Sequence, residues 1–330
     1  MSHGSNGFTG KSGRRVLTTC LGVLLLVAAT GCGGGGDGPR RATGTSTPNA
    51  PGTVSKPGSL EGFSTPESVL FAGDRWFVSD IGAKIDPTGK DGDGFLTELN
   101  SVGTVTARRA MPRPGDPPLN APKGMAHTDN RVFVADIDRV VGYDVDTHGQ
   151  VFEATLGGDV PVLLNDLALL DPHTLLVTDT VRGTVYRLDL ETKKFEQLAA
   201  GIPGANGIAV DSSGQVAYVV GVGADFSGGD LWRLDLAQNP VAPQRVGGIH
   251  GVLDGLAVLA NGNLVISDWI GSQGDQPGTV TIYRDDGVEV AAVKLPENLH
   301  GPADFTVDPA GRNLWLPAMP DNRVIIVPLP

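Results

Sequence analysis

Cysteine is almost missing: the 330 residues contain two, Cys20 and Cys32, both near the N-terminus. The bulk of the chain therefore has no disulfide framework and no thiolate metal site, and its stability must come from a packed core. Basic residues are scarce as well. Lys and Arg number 25 against 37 Asp and Glu, a net charge of −12, and no basic run or aromatic-interleaved patch occurs. That balance argues against nucleic acid or an anionic membrane surface as a partner. It suits cation binding, although solubility alone would account for it. Apolar runs are short after residue 29, and no later segment carries a helical period, which excludes a helical bundle. Short β-rich runs alternate with turn signals instead, fed by 47 Gly and 24 Pro.

The one long apolar run, 16–29, follows Arg14 and Arg15 and ends in Ala28-Ala29-Thr30-Gly31-Cys32. A basic start, a short apolar centre and small residues before a cleavage point describe an exported protein. The cysteine directly after that point resembles the bacterial lipobox, with Ala29 where Leu is usual. Residues 1–31 then form a lipoprotein signal peptide and Cys32 is lipidated. An ordinary signal peptide or a membrane anchor are the alternatives, the run being short for a span of ~20 residues. Residues 32–58, rich in Gly, Ser, Thr and Pro, read as a flexible tether. Removing the signal removes Lys11, Arg14 and Arg15 and takes the remaining charge to −15. The expected location is the cell envelope, with the lipid in the outer membrane and the domain facing the periplasm or the cell surface.

From residue 59 to 330 a pattern repeats six times: a polar or charged residue stands before an apolar run. These residues are Glu67, Lys123, Asn165, Asn206, Asp254 and Asp304, spaced by 56, 42, 41, 48 and 50 residues. Self-similarity at ~40–50 residues marks a β-propeller, each repeat one four-stranded blade. The expected fold is all-β, a six-bladed β-propeller whose six lead residues converge on one end of the channel. After Asp304 only 26 residues remain, one strand short of a blade. The stretch around Ser59–Phe63 is expected to supply that strand and close the ring. Within the repeats a second strand ends in a hydroxyl or alanine followed by Asp, at Asp80, Asp136, Asp179 and Asp268. So frequent a feature reads as a turn support bonding nearby amides rather than as an active site. Residues 86–98 echo a calcium loop but lack two principal ligands, and read as a hairpin.

The dipeptides Asn165-Asp166, Asn206-Gly207 and Asp254-Gly255, with Glu67 ahead of them, make the chain resemble the regucalcin/gluconolactonase (senescence marker protein) family of six-bladed propellers; the strands also resemble NHL repeats. The resemblance implies that Glu67, Asn206 and Asp254 hold a divalent metal at the channel mouth and that Asn165 contacts substrate. The residue types agree: carboxylate and amide oxygens suit Ca²⁺, with Mg²⁺, Mn²⁺ or Zn²⁺ as alternatives. Departures are Ser68-Val69 after Glu67, Leu at position 163 where the family often has Arg, and Lys123 in the ring. The Lys123 ammonium would either replace a metal charge or grip an anionic substrate.

Two further residues stand outside the family pattern. His250 and His300 each open a His-Gly-x-x-Asp run, ending at Asp254 and Asp304. Both are expected near one rim, where an imidazole would serve as general base alongside Asp304, or would merely cap its loop. Two functions follow. One is a metal-dependent hydrolase of the lactonase or esterase type, acting on a small molecule. The other is a non-catalytic propeller that binds a ligand or an envelope protein.

Overall fold

The computed structural model describes residues 57–271 and 275–330. The signal sequence, Cys32 and all but the last two residues of the expected tether lie outside them. Every element among the described residues is a strand, and the strands form six antiparallel four-stranded sheets. Blades one to five run in chain order, with innermost strands Pro66–Ala72, Pro122–Thr128, Leu164–Asp171, Ala205–Val210 and Leu253–Val258. Blade six takes its three inner strands from the C-terminus, Thr306–Val307, Asn313–Ala318 and Arg323–Pro328. Its outermost strand is Gly58–Glu61, paired antiparallel with Arg323–Pro328. The expected N-terminal closure is thus present and begins at Gly58.

The core is divided among the blade seams. Each of six apolar clusters joins two adjacent blades, as Phe77, Leu96 and Met111 of blade one meet Met125, Val134 and Tyr143 of blade two. Second strands such as RWFVSD and RVFVAD are buried from their second residue onward because both faces of a blade are covered. At the closing seam Trp76 of blade one stacks on Trp315 of blade six, with ring centroids 3.9 Å apart and planes 17° from parallel. Residues 81–94 form a loop of blade one in which Asp93 accepts the Ala83 amide at 2.9 Å and Asp91 that of Asp93 at 3.3 Å, consistent with a hairpin whose acids serve its own backbone.

The innermost strands share one irregularity. In each of blades one to five the pairing with the second strand slips by one residue across the lead position, as between Pro66↔Asp80 and Ser68↔Ser79. In blade six the same slip separates Pro302↔Ala318 from Thr306↔Trp315. Each is a β-bulge with the extra residue on the inner strand, a device that re-aims a side chain. The hydroxyl of the second-strand pattern satisfies the bulge: Ser79, Thr178 and Ser267 accept the amides of Ser68, Asp166 and Gly255 at 2.9, 2.9 and 2.7 Å. The following Asp ties down the incoming loop. Asp80 accepts from Ser64, Asp136 from Asn120 and Ala121, Asp179 from Leu163, and Asp268 from Val252. The turn-support reading of these aspartates holds. Blade four, with Val220-Gly221 at this place, has neither support and keeps the backbone bond it shares with blades one, three, five and six, Val222 to the Gly204 carbonyl at 3.0 Å.

Candidate functional site

The bulges bring the six lead residues together at the start of the inner strands, and all six are buried. Space for them depends on the next residue. After Lys123, Asn206 and Asp254 comes glycine, and a Cβ there would lie 2.2 Å from Asp166 Oδ1, 2.2 Å from the Asp254 carbonyl and 2.6 Å from Phe305 respectively. Each glycine is therefore the gap into which the following blade fits. In blade one that residue is Ser68, whose hydroxyl donates to Asp304 at 2.5 Å and so ties blade one to blade six. In blade three it is Asp166, which accepts the Leu167 amide at 2.7 Å and the Ile208 amide of blade four at 2.8 Å.

Four of the lead residues keep a buried oxygen with no hydrogen-bond partner: Glu67 Oε2, Asn165 Oδ1, Asn206 Oδ1 and Asp254 Oδ1. A buried acceptor without a donor is costly, on the order of 1–3 kcal/mol each. Four on one ring is the expected pattern where a cation supplies the missing partner. The set also fits chemically, being two carboxylates and two amides with no soft donor. No three His, Cys, Asp or Glu side chains are grouped as ligands among the described residues. Half of the donors here are amide oxygens, and the resemblance assigns the same four residues to metal and substrate.

The electrostatics of the ring point the same way. Burial, with Asp254 and Asp304 adding to it, pushes Glu67 well above the carboxylate range, and Lys123 opposes the rise. Asp254 is pushed up to about 7 by burial and by Asp304, against the hydrogen bond from Trp269. Asp304 rises to about 6 through burial, partly offset by Ser68. Asp166 is raised by burial and then by Asp304. Lys123 falls to about 8 through burial, with Glu67, Asp136 and Asp86 pulling it back. Its Nζ donates to the Ala121 carbonyl at 2.8 Å. Carboxylates crowded into low dielectric lack positive charge, and one ammonium does not offset them.

The two histidines part company. His300 is half-buried at the approach to blade six; its Nδ1 lies 3.1 Å from Asp321, which also accepts its amide and pairs with Arg323. His250 is not on the loop entering blade five. It belongs to the outermost strand of blade four, Gln244–Gly251, exposed and 3.0 Å from Asp230, which Arg245 also holds. The outer strand runs eight residues and pairs Asp230↔His250 and Gly229↔Gly251, so the His-Gly pair falls on it. Three contributors escaped sequence reasoning. Asp166 and Ser68 were legible only as neighbours of the motif residues. Trp269, whose Nε1 donates to Asp254 Oδ2 at 2.8 Å, directly follows the blade-five support Asp268. Two surface clefts at the seam of blades three and four, one containing Arg187 and Gln215 and the other Arg182 and Pro203, include none of the ring residues.

The model of the SMP-30/gluconolactonase/LRE-like region matches residues 171–316, which run from the end of blade three's inner strand into blade six. Together with the six-bladed ring this bears out the resemblance to the regucalcin/gluconolactonase-like propeller family. Solved structures with a similar fold include virginiamycin B lyase from Staphylococcus aureus. Its selenomethionine form has a TM-score of 0.57 at 12% identity, covering 83% of this chain and 99% of that one. A catalytically inactive histidine-to-alanine variant with quinupristin has a TM-score of 0.54 at 13% identity, with the same coverage. At that identity the likeness speaks for the fold alone. No curated protein matches the chain.

Proposed function

We propose that this propeller is a divalent-cation-dependent hydrolase of the lactonase or esterase type, acting on a small molecule at the mouth of its channel. The observation that carries the reading is the set of four unpartnered buried oxygens on Glu67, Asn165, Asn206 and Asp254. Glu67, Asn206 and Asp254 would hold the ion, Ca²⁺ by the hardness of the donors, and Asn165 would face the substrate. When bound, such an ion polarises an ester carbonyl and lowers the pKa of a water. The remaining work falls to the chain. Lys123 presents an ammonium with one protein acceptor, suited to a carbonyl or carboxylate oxygen of the substrate. Asp304, held by Ser68 and raised to about 6, is poised to accept a proton near neutral pH. His300 donating from Nδ1 to Asp321 would leave Nε2 free to carry that proton away from the mouth. His250 lies too far toward the blade edge to share this role. Hydrolysis adds one water across the acyl C–O bond and yields an acid and an alcohol, joined in one hydroxy acid when the substrate is a lactone.

A panel of lactones and aryl esters, assayed with Ca²⁺ and with chelator, tests the reading. Turnover abolished by chelator and by Asp304→Asn supports it; no turnover on any substrate with the ion present refutes it. That second outcome favours a non-catalytic ligand-binding propeller, a reading supported by the depth of the ring, whose four free oxygens are closed to solvent. We read the chain as anchored through a lipid on Cys32 in the cell envelope, at the outer membrane. Cys32→Ser should move it to the soluble fraction.

A further inference from the structure

Directly outside the polar ring lies a second, apolar layer. The residue after each second-strand support is Ile81 in blade one, Ile137 in blade two, Trp269 in blade five and, after Ala318, Met319 in blade six. Their placement follows from backbone bonds. The amides of Ile81, Trp269 and Met319 donate to the carbonyls of Thr65, Val252 and Gly301, each at 3.1 Å. Those carbonyls stand two, two and three residues ahead of Glu67, Asp254 and Asp304, so each apolar residue is seated one step outward of a ring residue. Ile81, Ile137 and Met319 belong to one buried apolar cluster, against which Ile85 and Trp269 pack while partly exposed. The cluster thus runs over four neighbouring blades, five, six, one and two. Blades three and four differ: the equivalent residues are Thr180, whose hydroxyl bonds the Ala205 carbonyl at 2.8 Å, and Val222, which lies outside the cluster. Below them sit the two amides, Asn165 and Asn206.

From this two-layer arrangement we infer that the site takes an amphipathic substrate: a lactone or ester whose carbonyl end meets the ring and whose alkyl or aryl body lies against Ile85, Trp269 and the wall behind them. The ester part rests on the hydrolase reading; the apolar body does not. A polyhydroxylated lactone offers this wall nothing in exchange for its lost hydration, and its hydroxyls would be buried against side chains that cannot pair them. An alkyl tail gains about fourfold for each methylene it buries. Trp269 links the layers, its indole belonging to the wall and its N–H to Asp254.

The test compares δ-decanolactone with glucono-δ-lactone, which share a six-membered ester ring and differ in a pentyl tail against four hydroxyl-bearing positions. Alongside, calorimetry with Ca²⁺ present measures binding of the pentyl-substituted δ-lactam and of unsubstituted δ-valerolactam, neither of which carries an ester. The inference expects kcat/KM at least tenfold higher for decanolactone, tighter binding of the pentyl lactam by a similar factor, and loss of both preferences in Ile85→Ser. Equal or better turnover of glucono-δ-lactone overturns the inference and leaves the hydrolase reading standing. Tighter binding of the pentyl lactam with no lactone turned over does the reverse. Pentyl and unsubstituted lactams bound alike, or neither bound, overturns the inference, as does an alkyl preference unchanged in Ile85→Ser.

Discussion

Ser267→Ala should cost this propeller far more than the loss of one small hydroxyl suggests. Ser267 is fully buried; its Oγ accepts the Gly255 amide at 2.7 Å and donates to the Ala303 carbonyl at 3.1 Å. The first bond satisfies the bulge that aims Asp254, and the second crosses to the residue before Asp304. Alanine would leave a buried N–H without an acceptor and a buried C=O without this donor. At roughly 1–3 kcal/mol for an orphaned group, with the carbonyl at the low end, the expected loss is about 2–3 kcal/mol. For a domain of this size each kcal/mol moves Tm by roughly 2 °C, so Tm should fall by about 5 °C. Calorimetry of the purified chain reads this directly, and Ser213→Ala, which removes an exposed hydroxyl bonded to Asp211 and Gln215, should stay within about 1 °C of wild type. A Ser267→Ala protein that melts with wild type would refute the claim that the hydroxyl-Asp pattern exists to satisfy the bulge.

Other expectations follow from the same geometry. Asp80 and Asp254 are raised to about 7 and Asp304 to about 6, each chiefly by burial. The folded chain then holds more protons than the unfolded chain between about pH 4 and 7, so without cation its stability should fall as pH rises through that window; urea denaturation at pH 5 and pH 8 in chelator measures this, and an increase toward pH 8 would contradict it. Added Ca²⁺ should remove the ring's part of this loss and leave that of Asp80, which is bonded to Ser64 and Thr97. Replacing Lys123 by Met removes a buried positive charge beside Glu67 and should raise Ca²⁺ affinity at least tenfold by calorimetric titration; weaker binding would show that the ammonium supports the ion rather than competing with it. Trp315→Ala opens the stacked seam between blades six and one and should cost about 3–5 kcal/mol in urea denaturation; a loss below about 1 kcal/mol would place ring closure elsewhere.

Much of the fold was legible because a propeller repeats its instructions. Glu67 to Asp304 counted six blades, the short last repeat announced strand exchange, and the second-strand aspartates were readable as supports because one residue type recurring in four of the six blades has a structural task. The bulges were not legible. A one-residue slip leaves no mark on composition, and only the partner hydroxyls at Ser79, Thr178 and Ser267 hint at it. Asp166 was visible beside Asn165, but its bonds to Leu167 and Ile208 depend on a neighbouring blade. His250 was misplaced because its spacing to Asp254 matches that of His300 to Asp304, while strand length decided the matter: an eight-residue outer strand in blade four reaches as far as Gly251. The apolar layer outside the ring was hidden for another reason. Ile81, Ile137, Trp269 and Met319 are ordinary strand-end residues in sequence and become a wall only when the ring closes.

The central claim is that the unpartnered oxygens of Glu67, Asn206 and Asp254 make one cation site, with that of Asn165 beside it for the substrate. Equilibrium dialysis of the purified chain against Ca²⁺, with metal content measured for wild type and for Asp254→Asn, tests it most directly. One ion per wild-type chain and none in the variant is the predicted result. Wild-type protein that retains no ion, or a variant that retains as much as wild type, would contradict it.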